Sequence, residues 1–227
     1  MATSASTNYS ITAREVIEYA LRKVNILAKS ETADADTAAA AMMELNVLLK
    51  GWQKYPSLWR LTEASVAPTA ATASISLTAA NPYRVLDCRY RNTSSIDLPL
   101  RELTRQEYYD LPSKTTAGTP TAWYFDPQLA TNTLYLWPVL ATVTTETIKF
   151  THQRRIEDID DLSNDLDITQ EHFETVGYNL AARIADDYGR KGEHISRIIA
   201  RAESLKGEMM DADRPEVIRF VPERRYG

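Results

Sequence analysis

The stretch DADTAAAAMMELNVLLKGWQKYP, residues 34–56, decides the fold. Alanine, the best helix former, fills positions 38–41. Ala38, Met42, Leu45, Leu48, Leu49 and Trp52 recur at the spacing that lines one side of a helix. Gly51 lies near its end and Pro56 stops it. The pattern predicts a helix from Asp34 to Tyr55. Upstream, residues 11–29 predict another. Thr12 and Glu15 match a capping box, and Val16, Ile17, Ala20, Leu21, Val24 and Leu27 recur at helical spacing before polar residues 30–34 break the pattern.

Downstream the composition changes. From Leu61 to Thr151 the chain is rich in Thr, Val, Ile, Tyr and Pro. Strands are expected at 74–77, 85–91, 121–125, 133–137 and 146–151, with a short helix over 104–111. Leu98-Pro99-Leu100 reads as an edge segment, because proline cannot donate to a sheet ladder. Short strands at this spacing suggest a small sandwich or barrel. Helical periodicity returns near Thr169 with Phe173, Val176, Leu180, Ala181, Ile184 and Ala185. It resumes from Glu193 to Met210 with Ile195, Ile198, Ile199, Ala202, Leu205 and Met209. Gly189 and Gly192 flank the turn between these two, which predicts a helical hairpin. The expected fold is therefore α+β: an antiparallel bundle of four main helices, an inserted small antiparallel β-sandwich or barrel, and an extended C-terminal tail. The expected divisions are residues 1–60, 61–155, 156–213 and 214–227.

Apolar content of 44% and charged content of 25% suit a globular chain with a sizeable core. The net charge of −5 argues against nucleic-acid binding as the main task, since phosphate neutralisation needs clustered Lys and Arg. Residues 1–10 are polar and small, with neither the basic nor the apolar segment of a signal peptide. No stretch nears the roughly 18 apolar residues that span a bilayer. Synthesis and assembly in the cytoplasm, away from membrane, are expected. Cys88 is the one cysteine and reads as a buried small hydrophobe.

Chemistry-bearing patterns are sparse. His152, His172 and His194 are not spaced as helical metal ligands, and one cysteine cannot build a thiolate zinc site. No nucleophile elbow or phosphate-binding loop occurs. The acidic run Glu157, Asp158, Asp160, Asp161, Asp165 and Asp167 lacks the glycine and terminal glutamate of a calcium loop, and is expected to face water. Glu102 with Glu107, or Glu171 with Glu174, could in principle flank a glycosidic bond, but reads better as surface carboxylates. Trp123, Tyr124, Phe125, Tyr135, Trp137 and Phe150 are expected to fill a core or interface. No cofactor, metal site or catalytic residue is expected. The C-terminal segment is unusual. Val217, Ile218, Arg219, Phe220, Val221, Arg224, Arg225 and Tyr226 combine apolar residues with the Arg and aromatic types enriched at interface hot spots. Such a segment is expected to bind something.

Taken in order, these segments resemble the head-to-tail adaptors of short-tailed bacteriophages, also called tail accessory factors or head completion proteins. The resemblance rests on Thr12-Ala13-Arg14-Glu15 opening the first helix and on Met43-Glu44-Leu45-Asn46-Val47-Leu48-Leu49-Lys50-Gly51-Trp52 in the second. Within the insert it rests on Gly118-Thr119-Pro120-Thr121-Ala122-Trp123-Tyr124, on Leu134-Tyr135-Leu136-Trp137-Pro138, and on Phe150-Thr151-His152-Gln153-Arg154-Arg155. It implies a non-enzymatic virion protein of the tail or neck. It further implies a homo-oligomeric ring, usually a dodecamer, beneath the portal protein, with a downstream tail or nozzle protein on its other side. DNA would only pass through the channel. The C-terminal residues would dock on the portal, and the acidic run would face the lumen or the tail. Two alternatives are a virion-associated peptidoglycan or glycan hydrolase, which needs a cleft with paired carboxylates, and a nucleic-acid-binding module, which the net charge disfavours.

Overall fold

The computed structural model describes residues 6–55, 58–129 and 131–212. In chain order the elements are α1 (Ala13–Lys23), α2 (Ala35–Trp52), β1 (Leu61–Val66), β2 (Ser74–Ser76), β3 (Arg84–Arg91), β4 (Asp97–Pro99), β5 (Arg101–Glu102), α3 (Arg105–Tyr109), β6 (Ala122–Asp126), β7 (Thr133–Trp137), β8 (Thr147–Gln153), α4 (Phe173–Asp187) and α5 (Glu193–Ala212). They form two compact units. One is helical, Met1–Leu58 with Asp158–Gly227; the other, Trp59–Glu157, holds every strand. Among the described residues no helix is long and apolar enough to cross a membrane.

In the helical unit, α1 opens with the expected capping box. Glu15 N donates to Thr12 Oγ1 at 3.3 Å, and Thr12 N donates to Glu15 Oε2 at 2.9 Å. The helix ends at Lys23, well short of residue 29. Asn25 takes a φ of 55°, a left-handed conformation that asparagine tolerates and a helix cannot contain. Asp34 caps α2 by accepting from Thr37 N at 2.9 Å. Ala38, Ala41, Leu45, Leu48, Leu49 and Trp52 are its buried positions, so Ala41 takes the core place expected for Met42, which is half-buried. The opposite face of α2 carries exposed Ala39, Ala40, Met43, Val47 and Gly51.

Helix α4 packs against α1, α2 and α5. Val176, Leu180, Ala181, Ile184 and Ala185 are almost wholly buried on it. The hairpin to α5 turns on Gly189 (φ 59°) and Gly192 (φ 114°), which occupy the left-handed region that glycine enters at no steric cost. Ile195, Ile198, Ala202 and Leu205 of α5 are buried, whereas Ile199, expected on that side, is exposed.

The strand unit contains two four-stranded sheets, ordered β1-β8-β3-β4 and β2-β7-β6-β5. The first is antiparallel throughout. The second is mixed, because β5 runs parallel to β6 through Arg101 and Glu102; this corrects the wholly antiparallel expectation. One apolar cluster draws on both sheets, with Ile75, Val85, Cys88, Trp123, Leu134, Leu136, Ile148 and Phe150 at its centre. Strands β1 and β5 escaped sequence reading: β1 is a largely exposed edge strand without clean alternation, and β5 is two residues long. Pro99 lies on the edge strand β4, as its missing N–H requires.

Two expectations follow. Gly177 on α4 faces Tyr19 of α1, and an added Cβ would stand 2.6 Å from the ring. The ring is held by an edge contact with Tyr178 and by Lys23 over its face. Gly177→Ala should therefore lower unfolding free energy by about 1–3 kcal/mol through overpacking. Gly207→Ala in α5 meets nothing within 4 Å and should raise it by up to about 1 kcal/mol. Urea denaturation reads both. Secondly, burial holds His152 below its usual pKa, partly offset by a hydrogen bond with the Thr62 backbone. Folding then favours the neutral ring. Stability is unaffected above the ordinary value of 6.5 and falls as pH drops below it. The urea midpoint should decline from pH 7.5 to 5.5, and decline less in His152→Gln.

Candidate functional site

The acidic run was expected to be a solvated loop. Its charges do face water: Glu157, Asp158, Asp160, Asp161 and Asp165 are exposed and Asp167 is half-buried. Its backbone is nonetheless pinned from Asp158 onward. Ile159 and Leu166 turn inward and are buried. Asn46 of α2 grips the segment like a strand partner, donating Nδ2 to Ile159 O at 2.9 Å and accepting Ile159 N at Oδ1 at 3.0 Å. Asn164 Oδ1 accepts from the amides of Asp160 (3.1 Å) and Asp161 (2.9 Å). Ser163 donates both N and Oγ to Asp161 Oδ1, which holds that carboxyl below its usual range.

The same segment closes the start of α1. Ala13 N donates to Asn164 O at 2.9 Å and Arg14 N to Leu162 O at 3.0 Å, so two amides that a helix start leaves orphaned find acceptors far along the chain. Lys50 pairs with Asp158 at 2.5 Å. The result is a rigid, carboxylate-bearing rim on the helical unit. Of the two residues that hold it, Asn164 lies inside the run and Asn46 entered the sequence analysis only as one position of the α2 motif. Nothing in the local pattern marks an asparagine whose partner lies 113 positions away.

The other residues examined for chemistry have structural employment. Glu107 closes a capping box on α3 with Thr104 and pairs with Arg101. Glu174 pairs with Arg201 at 3.4 Å. His194 Nε2 lies 2.8 Å from Lys23 O. Among the described residues no group of three metal-ligating side chains gathers. Cys88 is buried, and burial pushes its thiol pKa far up, away from reactivity.

The aromatic set divides between the faces of the second sheet. Trp123 fills the core shared by both sheets, as does Phe150 from β8. Tyr124 and Tyr135 lie on the other face, where α3 covers them; Tyr108 stands 5.4 Å from Tyr124 and 4.9 Å from Tyr135, ring centre to centre. Trp137 Nε1 donates to Ser113 O at 2.9 Å. The arginine-bearing end of β8 also packs: Arg154 lies over Trp59 and Arg155 over Tyr83. Arg60 is fully buried and donates Nε to Arg154 O at 3.0 Å.

The C-terminal candidates Val217, Ile218, Arg219, Phe220, Val221, Arg224, Arg225 and Tyr226 lie outside the described residues. What sequence reading missed is the second face of α2. Its signal was present, since Ala39, Ala40, Met43 and Val47 add apolar residues beyond the buried side of α2.

Among curated proteins none matches the sequence. Two solved structures resemble the chain at 13% identity, each covering 84% of this chain and 93% of its own. They are the neck of an empty GTA particle computed with C6 symmetry (TM-score 0.31) and the neck of a native GTA particle computed with C12 symmetry (TM-score 0.29). The profile of the SU10 adaptor protein family matches residues 9–221. That match spans both units and carries the assignment by itself. The chain belongs to the SU10 adaptor protein family, and is a structural head-to-tail connector of a bacteriophage virion.

Proposed function

We propose that the chain forms a ring, a dodecamer, under the portal protein, where it extends the DNA channel and gives the tail or nozzle protein its platform. Each subunit contributes an antiparallel bundle of four main helices and a small β-sandwich. The observation that carries this reading is the doubly apolar α2. One face is buried in its own subunit, and the other exposes Ala39, Ala40, Met43, Val47 and Gly51, with Asp36 and Lys50 towards its two ends. The flanking charges are engaged within the subunit, Glu44 with Arg183 at 2.8 Å and Lys50 with Asp158. A neighbouring copy would cover the part of this face from Ala40 to Gly51, leaving the exposed Asp36 at its N-terminal end at the rim, and repeated head-to-tail contacts close a ring. The residues 214–227 dock on the portal. The carboxylates of 157–167 face the lumen or the tail, where like charge keeps passing DNA from sticking. Assembly takes place in the host cytoplasm.

Light scattering with negative-stain imaging, on the chain alone and mixed with its cognate portal, tests the reading. Rings stacked on the portal are expected; a monomer that ignores the portal overturns it. Deleting residues 214–227 should leave a folded chain that no longer joins the portal, and unchanged affinity would remove the docking role. Asn46→Ala should cost about 1–3 kcal/mol by stranding the Ile159 backbone groups. It should also speed amide exchange across 158–166, and unaltered protection there would mean that other contacts hold the rim.

A further inference from the structure

The two sheets of the strand unit end on β1, β4, β2 and β5. Three of these edges are blunted. Strand β2 is three residues long and β5 two. Strand β4 is three residues long and ends on Pro99, which has no N–H to offer. Strand β1 is different. It runs for six residues, pairs with β8 without a shift in register, and contains no proline, lysine or bulge. Natural sheets seldom leave such an edge bare, because its backbone groups are a template for another strand.

The parity of the pairing fixes which of those groups are free. Arg154 N donates to Arg60 O at 2.9 Å, one step beyond the pairing of Leu61 with Gln153. Backbone groups alternate sides along a strand, so Thr62, Ala64 and Val66 point their N–H and C=O at β8. Those of Leu61, Glu63 and Ser65 point away from it and meet no partner among the described residues. The three residues are also exposed. Their amides and carbonyls stand in a row at the spacing of an extended backbone, and an extended backbone is what such a row recognises.

The side chains narrow the occupant further. On the core side, Ala64 and Val66 pack against the apolar cluster but are only partly buried, so residues set beside them should be apolar. On the other side the charges already balance. Arg89 reaches Glu63 at 2.6 Å and Asp87 at 3.4 Å, and Lys149 reaches Glu63 at 3.1 Å. That face asks for uncharged polar residues. A second copy of the chain fits poorly, since its other edges are the blunted ones. Two β1 strands can continue one sheet, faces matched, only as an antiparallel pair about a two-fold axis. The register that uses the whole row then sets the two Glu63 side chains directly opposite each other, and like charges so placed destabilise a strand pair.

We propose that in the virion the outer edge of β1 is taken by an extended segment of a different protein, which adds a strand to the β1-β8-β3-β4 sheet. The segment alternates apolar with uncharged polar residues and has no proline where its amides bond to β1. The inference needs neither the ring nor the portal docking proposed above. It gives the connector an attachment made by main chain, on the strand unit.

Amide hydrogen exchange resolved to single residues, on the full-length chain alone and on intact virions, tests it. In the chain alone the amides of Leu61, Glu63 and Ser65 should exchange freely, while those of Thr62, Ala64 and Val66 are slow. In virions the first three should slow by about tenfold or more. Unchanged exchange in virions overturns the inference. Protection already present in the chain alone also overturns it: a second copy holds the edge if protection grows with concentration, and the chain's own segments hold it if not. A crosslink names the occupant. Ser65→Cys carries a benzophenone on its thiol and is irradiated in virions; the native Cys88 is buried and does not compete. Adducts with another virion protein, mapped to an alternating segment, are expected. Adducts only between copies of this chain overturn the inference. Should the variant fail to enter particles, exchange in the unaltered virion decides.

Discussion

The antiparallel pairing of β1 with β8 is the contact on which the architecture depends. Leu61 faces Gln153 and Val66 faces Ile148, so the first and last strands of the insert are neighbours in one sheet. The helical unit is assembled from the two ends of the chain, and its central helix α4 meets α1 and α2 only across the insert. Without the β1–β8 pairing, closing the bundle would confine a loop of about a hundred residues, with the entropic cost that loop length brings. With it, the span to be closed shrinks to the short connections outside Leu61 and Gln153. The insert acts as a staple as well as a surface.

Within that frame, packing of small residues sets the helix spacing. Gly177 admits the Tyr19 ring, and Ala181 and Ala185 are wholly buried on the same helix. The acidic rim completes the unit. It supplies carbonyl acceptors to the first amides of α1 while its carboxylates remain in water. One segment therefore satisfies a backbone requirement and builds a charged surface. That combination makes the rim rigid, because its conformation is fixed by Asn46, Asn164 and the start of α1 together.

Local signals were read well from the sequence. The capping boxes at Thr12 and Thr104, the glycine turn between α4 and α5, and the alternation of β7 each depend on residues within a few positions of one another. Long-range ones were not. The length of α1 turned on the left-handed Asn25. The strand β1 took its conformation from β8 rather than from its own residues. The mixed second sheet depended on two residues, Arg101 and Glu102, whose pairing no local pattern announces. Asn46 was quoted as part of a motif, but its role appears only when Ile159 is placed beside it. The candidate surface behaved similarly: periodicity identified the buried side of α2, and only burial in three dimensions revealed that Ala39, Ala40, Met43 and Val47 on its other side are exposed among the described residues.

The capping of α1 by residues 162 and 164 has a bearing on how the protein is made. A chain emerging from the ribosome presents Val16, Ile17, Ala20 and Leu21 long before their partners on α4 exist, and the acceptors for Ala13 and Arg14 are later still. Nascent chains and prematurely terminated fragments therefore keep an adhesive helix pair uncovered, the state that proteases and chaperones recognise. Only a chain translated through α4 and α5 hides it. Completeness of synthesis is written into the packing, because α1 finds its cap and its apolar partners only in the second half of the chain.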